Sequence, residues 1–280
     1  MKQIVKKLVE SLPVVSDYYA YHWLFPRRVN AFRGLYSSFD EALKAVPPQR
    51  LTGYNHAELH DAPVRLNCTQ ADMETLNPID YPVLVWLRKA FEDSSIVCDL
   101  GGNTGNSYYA FRRYIPYPEN VQWTICDLPE AVKSGEAMRQ RTHCPGLSFT
   151  TDLATVENAE IFLTCGTIQY MNASLPDFLG YLKNRPRHLI VQRVAFYEGE
   201  EYFTLQNIYG IYVPYKIMND ANFVASLAAL GYELVDRWSI ARPCVIPFHP
   251  DRFVKGQSGM YFRQRSHSHA GQLEECSLVV

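Results

Sequence analysis

The sequence lacks several features that would place it in other classes of protein. Its seven cysteines include no C-x-x-C pair, so neither a zinc ribbon nor a dithiol redox motif is expected. No apolar run approaches the ~18–20 residues of a membrane-spanning helix, and 27 basic residues stand against 29 acidic ones. We therefore expect no integral membrane span, no nucleic-acid partner and no metal, in a cytoplasmic protein with reduced cysteines.

Phosphate-binding motifs are also missing. A G-x-G-x-x-G dinucleotide fingerprint that began at Gly101 would need glycine at positions 103 and 106, but both are asparagine. No G-K-[S/T] sequence of a P-loop occurs. These absences disfavour a nicotinamide-dependent oxidoreductase and exclude P-loop chemistry.

What the sequence does contain is an alternation of short apolar runs with amphipathic segments from residue 94 onward. This pattern predicts an α/β fold with a parallel sheet covered by helices on both faces. Five parallel strands, followed by a pair with no room for a crossover helix, predict a Rossmann-like seven-stranded sheet with an antiparallel last hairpin. The predicted strands are 95–100, 121–126, 147–151, 161–165, 188–194, 232–240 and 258–263.

The remaining chain divides by composition. Residues 1–90 predict a helical N-terminal extension that serves as a lid, and residues 91–265 the main domain. Residues 266–280 are polar without a strong period, which is typical of a flexible tail. The oligomeric state stays open, with a homodimer as one alternative.

The strongest motif follows the first predicted strand. That strand ends at Asp99, and a turn that contains Gly101, Gly102, Asn103 and Gly105 then leads into a helix. Ligands of open α/β sheets bind outside the carboxyl ends of the strands. S-adenosylmethionine (SAM) has no phosphate but carries an ammonium and a sulfonium, so Asp99 suits its methionine end, directly or through bridging water.

A second acid ends the next strand. Asp127 stands 26 residues after Gly101, at a spacing where a carboxylate can accept hydrogen bonds from both hydroxyls of a ribose. Leu128 could then pack on the adenine. The alternative is that Asp127 only caps the following helix.

The end of the fourth strand supplies a third motif, in which we assign Cys165, Gly166 and Gln169 to the cofactor and Tyr170 to the acceptor. A plain strand-to-helix loop is the alternative. Two more acceptor-site candidates are Arg193, which alternatively forms a surface ion pair, and His249, a candidate general base.

Taken together, these motifs resemble a little-characterised group of bacterial class I SAM-dependent methyltransferases, often encoded among genes for surface polysaccharides or specialised metabolites. The resemblance covers nearly all of residues 30–264 and includes residues 32–43, the glycine turn, Gln169-Tyr170, Gln192-Arg193, Thr204-Leu-Gln206 and Pro214-Tyr215. It implies SAM as cofactor, bound by the glycine turn and Asp127. Members of the group often have a small residue in place of Asn103 and a glutamate in place of Asp127.

These observations lead to the hypothesis of a methyltransferase that acts on an oxygen or nitrogen of a small molecule, such as a sugar or a specialised metabolite. The alternative is a non-catalytic protein that binds SAM or a partner with the same fold. His56 and His60, four residues apart, could share one helix face and bind a metal, but a third ligand at characteristic spacing is missing. We interpret them as a solvated helix face.

Overall fold

The computed structural model describes residues 13–60 and 75–265. The predicted tail, residues 266–280, lies outside the described residues, as do residues 1–12 and 61–74 of the predicted extension. No helix in the described parts of the chain has the length and hydropathy to cross a bilayer.

Seven strands form the central sheet, and their order and directions confirm the predicted fold class. The strands are β2 (Ile96–Leu100), β3 (Gln122–Cys126), β4 (Leu147–Thr150), β5 (Ile161–Cys165), β6 (His188–Tyr197), β9 (Tyr232–Ile240) and β10 (Gln257–Gln264). The first five run parallel to one another, and β10 lies antiparallel between β6 and β9. The order across the sheet is β4-β3-β2-β5-β6-β10-β9.

Five of the helices in the described residues, which begin at residues 81, 106, 129, 175 and 220, cover the two faces of this sheet, as parallel strands require. The bounds of the α-helices are α1 (Pro13–Tyr19), α2 (Phe39–Lys44), α3 (Ala57–His60), α4 (Tyr81–Ala90), α5 (Asn106–Phe111), α6 (Pro129–Thr142), α7 (Leu175–Tyr181) and α8 (Asp220–Ala229). Apolar residues of α4, α5 and α6 share one buried cluster with Val97 and Ile125 of the sheet. Residues of α7 and α8 share a second cluster with Cys98 and Phe162, whose side chains point to the other face.

A three-stranded antiparallel extension continues the sheet beyond β6 and was not predicted. Its strands are β1 (Ala31–Tyr36), β7 (Tyr202–Ile208) and β8 (Ile211–Asn219), and β8 pairs with the end of β6. The predicted helical N-terminal extension, residues 1–90, therefore also contains a strand, β1, that the prediction did not include. The backbone partner of β1 is β7, about 170 residues away, and a short strand with such a distant partner has little local signature.

Local signals explain some elements of the N-terminal region well. The Ser38 hydroxyl accepts a hydrogen bond from the Glu41 amide at 3.1 Å and caps α2, as the sequence predicts. The Glu41 carboxylate accepts in return from the amide of Ser37 at 2.8 Å. These reciprocal bonds satisfy amides that the first turn of a helix leaves without partners.

Candidate functional site

A cavity of about 660 Å³ opens at the carboxyl ends of β2, β3 and β5. The last residues of these strands and those just after them form one part of its lining, which we call the sheet wall: Leu100, Gly101, Asn103, Cys126, Asp127, Leu128, Cys165, Gly166 and Thr167. Phe39, Val213, Pro214 and the segment 51–60, which we call the strap, supply a second part, the strap wall. The size and position of the cavity are those of a small-molecule site in an open α/β fold.

The glycine turn has the backbone geometry that its composition predicts. Gly101 has φ of +73° and Gly105 has φ of +98°, both in the left-handed region where a Cβ is strained. Gly102 is required for a different reason, because a Cβ there would lie 2.5 Å from Oδ2 of Asp99. The turn can therefore close tightly over the end of β2 only with these small residues.

Asn103 occupies the position where the resembled group often has a small residue. Its φ of +54° is left-handed, a conformation that asparagine tolerates better than most side chains. Its backbone amide donates to Oδ2 of Asp127 at 2.8 Å. The turn is thus tied to the end of the neighbouring strand.

The Asp127 carboxylate lies in the wall of the cavity and accepts two backbone hydrogen bonds. Besides Asn103, the amide of Leu128 donates to Oδ1 at 2.7 Å. Burial raises the pKa of Asp127, and these two amide bonds oppose the rise. A carboxylate can accept up to about four hydrogen bonds, so two amides leave room for a ligand with two donors.

Asp99 lies beneath the glycine turn and is completely buried. Its Oδ2 accepts from the indole N–H of Trp123 at 3.3 Å, whereas Oδ1 has no hydrogen-bond partner in the structure. Burial raises the pKa of Asp99 to about 7, and the nearby Asp127 carboxylate adds to the rise. An unpaired buried carboxylate oxygen is costly, and a cationic ligand group would offset that cost.

The two acids thus stand at the ends of neighbouring strands, since β2 pairs with β3 from Ile96 to Leu100. The predicted juxtaposition of Asp99 and Asp127 is present, with the glycine turn between them. Asp99 itself does not line the open cavity, but Gly101 above it does.

The residues predicted at the end of β5 separate into two groups. Cys165, Gly166 and Tyr170 line the cavity. Gln169 is buried behind them, and its Oε1 has no partner. The Tyr170 hydroxyl donates to Oε1 of Gln206 on β7 at 2.7 Å, which joins the central sheet to the extension.

Arg193 and His249 are not part of the cavity lining. The Arg193 guanidinium donates to both carboxylate oxygens of Asp80, at 2.6 and 2.8 Å, just before α4. Its φ of +62° turns the chain within β6 and directs the side chain towards Asp80. The described geometry therefore favours an ion pair for Arg193, although the pair is mostly buried and not on the surface. His249 stands in the loop before β10, and the structure offers no support for it as a base.

Sequence reasoning missed the strap as part of the site. His56 and His60 both line the cavity, and His60 is only 4% exposed, so the interpretation as a solvated helix face is wrong for His60. The H-x-x-x-H spacing was the available signal, but it suggested a metal. Among residues 13–60 and 75–265, no group of three or more His, Cys, Asp or Glu is arranged to hold a metal ion.

Comparisons with known proteins leave the family of the chain open. No family model and no curated protein matches the sequence. Among solved structures, the N-terminal domain of EvdMO1 with bound S-adenosylhomocysteine (SAH) is 13% identical to this chain. The match covers 68% of this chain and 83% of that one, with a TM-score of 0.47.

Two further solved structures are similar at the same level. One is the 1,6-didemethyltoxoflavin-N1-methyltransferase of Burkholderia thailandensis, with 1,6-didemethyltoxoflavin and S-adenosylhomocysteine bound. It is 14% identical, the match covers 79% of this chain and 98% of that one, and the TM-score is 0.45. The magnesium protoporphyrin IX methyltransferase of Synechocystis PCC 6803, with bound SAH, is 12% identical, with 76% and 89% covered and a TM-score of 0.44. Similarity this low does not carry a function to the present chain.

Proposed function

We propose that this protein is a SAM-dependent methyltransferase that transfers a methyl group to an oxygen or nitrogen of a small molecule. The observation that carries the proposal is the pair of acids at the ends of β2 and β3, with the glycine turn between them at the mouth of the cavity. Asp99 and Asp127 differ in burial and in partners, and each suits a different end of SAM.

The buried end of the site fits the methionine part of the cofactor. The unpaired Oδ1 of Asp99 lacks a donor, and the SAM ammonium would supply one, directly or through a water molecule. Gly101 and Gly166 line this part of the cavity, and a Cβ at Gly101 would collide with the Thr167 side chain. Cys165 and Gly166 would contact the same end of the cofactor from β5.

The exposed end of the site fits the nucleoside. Asp127 would accept hydrogen bonds from both ribose hydroxyls while the amides of Asn103 and Leu128 hold its carboxylate in place. The Leu128 side chain is 40% exposed at the cavity, and it would pack on the adenine. The adenine ring would then cover an apolar side chain that is otherwise exposed to solvent.

The acceptor would occupy the part of the cavity between Tyr54, Tyr170 and Pro214. SAM supplies a methyl group on a sulfonium, and the protein has to align the acceptor with it and keep water away. Burial raises the pKa values of Tyr54 and Tyr170, and the Tyr170 hydroxyl already donates to Gln206. A base is needed only if the acceptor is itself protonated.

Calorimetry with S-adenosylhomocysteine tests the cofactor assignment. Wild-type protein should bind, and Asp127→Ala should weaken binding at least about 100-fold, since two hydrogen bonds to a charged group are worth roughly 1.5–3 kcal/mol each. Asp177→Ala is the matched control, because Asp177 is exposed in the first turn of α7. Folded wild-type protein that does not bind the nucleoside would overturn the proposal.

Turnover separates the enzyme from the alternative of a non-catalytic SAM-binding protein. Methyl-labelled SAM can be offered with panels of phenols, hydroxylated sugars and amines. Transfer of label to any acceptor supports the enzyme, and the accepted compound also names the atom that is methylated. Tight cofactor binding without transfer across all three panels would favour the alternative.

A further inference from the structure

The strap is fixed to several separate parts of the fold although it contains little regular structure. Thr52 forms a parallel bridge with Tyr212 of β8, where the Tyr212 amide also donates to the Leu51 carbonyl at 2.9 Å. Further along, Oδ1 of Asn55 accepts from the amide of Glu130 at 3.0 Å, in the first turn of α6. One short segment thus connects the extension to the helix that follows Asp127.

Tyr54 and His60 hold the strap against residues that follow two strands of the central sheet. The ring of Tyr54 packs on Tyr170, with centroids 4.6 Å apart. The carbonyl of Tyr54 bonds to Nε2 of His60 at 2.7 Å, which closes the segment on itself. The other ring nitrogen of His60, Nδ1, is 3.1 Å from Oδ1 of Asn103 in the glycine turn.

The contact between His60 and Asn103 is the one that reaches the candidate cofactor site directly. His60 is buried, and both of its ring nitrogens have partners, one in the strap and one in the turn. Asn103 in turn donates its backbone amide to Asp127. The Tyr54 carbonyl can only accept, so Nε2 of a neutral His60 carries the proton, and the Asn103 side-chain amide has to present its N–H group, in place of Oδ1, to Nδ1. With that orientation of the amide, a continuous chain of hydrogen bonds runs from the acceptor side of the cavity, at Tyr54, to the carboxylate assigned to the ribose.

This chain also gives a reason for asparagine at position 103. Glycine would meet the backbone requirement of the left-handed turn at least as well, but it has no side chain to bond the strap. Asn103 combines a tolerated left-handed φ with an amide that extends to His60. The residue that departs from the pattern of the resembled group is the one that contacts the strap.

We propose that His60 is a positioning residue of the cofactor site, which acts through Asn103 and holds the strap over the nucleoside end of bound SAM. The inference rests on the proposed function. When the contact is intact, the strap and the glycine turn keep one arrangement and Asp127 is presented to the ribose. When it is broken, the strap loses its bond to the glycine turn and keeps only its attachments at Tyr212, Glu130 and Tyr170, so it opens more easily.

A double-mutant cycle tests this inference with S-adenosylhomocysteine as the probe. Asn103→Gly removes the side chain but keeps a residue suited to the left-handed backbone, and His60→Ala removes the other partner. Each single variant should weaken binding about 10-fold, the value of one buried hydrogen bond. The double variant should bind no worse than the weaker single variant, because both changes break the same contact.

Two further variants serve as controls. His143→Asn changes an exposed histidine with a left-handed φ at the end of α6, and it should leave binding unchanged. His60→Asn keeps an amide close to the position of Nδ1, so it should recover part of the lost affinity. A merely structural role would not show this recovery, nor a coupling specific to Asn103.

The outcomes distinguish this inference from the proposed function. If wild-type protein binds the probe but the two single effects multiply in the double variant, or neither single variant changes binding, only the role of His60 is overturned. If folded wild-type protein does not bind the probe, both proposals fail.

Amide hydrogen exchange gives an independent readout: His60→Ala and Asn103→Gly should both speed exchange in the strap while β2 and β5 stay protected. Exchange that rises equally over the whole chain would contradict the inference.

Discussion

The sheet wall and the strap wall of the cavity are built in different ways. The sheet wall consists of residues that directly follow β2, β3 and β5, so the parallel register of the strands fixes where they lie. The strap wall consists of a segment with one helix of four residues and of parts of β8, and it depends on side chains from distant positions. A site with one rigid wall and one less regular wall can hold a cofactor firmly and still admit varied acceptors.

The difference is clearest in how closely the two walls are packed. In the turn behind the sheet wall, the position that a Cβ of Gly102 would occupy is already filled by the Asp99 carboxylate. In the strap wall, no atom of the described residues, apart from the two chain neighbours, lies within 4 Å of where a Cβ of Gly53 would stand. Substitution of these two glycines therefore compares the walls directly.

Gly102→Ala should have the largest effect. Its backbone is outside the left-handed region, so the cost comes from the methyl group that collides with Asp99 and displaces the turn. We expect a loss of about 1–3 kcal/mol in the free energy of unfolding and no detectable binding of S-adenosylhomocysteine. Chemical denaturation and calorimetry measure the two effects.

Gly53→Ala is the matched substitution on the strap wall. Gly53 has φ of +80°, so alanine is strained there by roughly 1–2 kcal/mol, but it meets no neighbouring atom. Cofactor binding should fall far less than in Gly102→Ala. Equal losses of binding in the two variants would contradict the contrast between a closely packed and an open wall.

Asp99→Asn should have a smaller, pH-dependent effect on binding. The pKa of Asp99 is about 7 in the folded protein, so at pH 8 the wild-type carboxylate is charged and attracts the ammonium of the probe. We expect about a 10-fold loss of affinity in the variant at pH 8, the scale of one charge-assisted hydrogen bond. At pH 5.5 wild-type Asp99 is mostly protonated, and the two proteins should bind more similarly.

The same substitution should change the pH dependence of stability without ligand. The pKa of Asp99 is raised on folding, so the folded state binds this proton more tightly than the unfolded state. Its contribution to stability is therefore complete below about pH 4 and is lost as the pH rises to about 7. The stability of wild type relative to Asp99→Asn should fall across this window and level off above it. A constant difference would show that Asp99 does not titrate there.

Much of the sheet wall could be predicted because its signals are local. The apolar run that ends in Asp99, the glycines that follow, and Asp127 at the end of the next strand are close in sequence. Parallel pairing then brings the two acids together without further information. The antiparallel pairing of β9 and β10 was also predictable, because the proline-containing loop between them shows no pattern of a crossover helix.

The strap wall could not be predicted for the opposite reason. His60 gains its partner only when residue 103 is brought beside it. The same holds outside this wall for strand β1, which is recognised only by its pairing with β7. Arg193 illustrates the same limit, because a sequence gives no indication that Asp80 will lie 2.6 Å from its guanidinium. Hydrogen bonds between residues over 40 positions apart depend on the finished fold and have no periodic pattern.

Tyr170→Phe should have the smallest effect and tests whether the two walls act independently. The Tyr170 hydroxyl donates to Gln206, so the variant breaks the link between the end of β5 and the extension while the ring stays packed on Tyr54. Loss of one neutral hydrogen bond costs about 1 kcal/mol. Because Tyr170 lies on the acceptor side, KM for an accepted substrate should rise about 3- to 5-fold, with binding of S-adenosylhomocysteine unchanged.

Tyr209→Phe provides the comparison, since Tyr209 is 78% exposed in the turn between β7 and β8 and its substitution should change neither quantity. If Tyr170→Phe weakens binding of S-adenosylhomocysteine as much as it raises KM for the acceptor, the two walls are energetically coupled through this hydroxyl. The strap would then act as part of one continuous site, with the His60 contact as one of several links between its halves. If only KM changes, the cofactor site is complete without the link to β7.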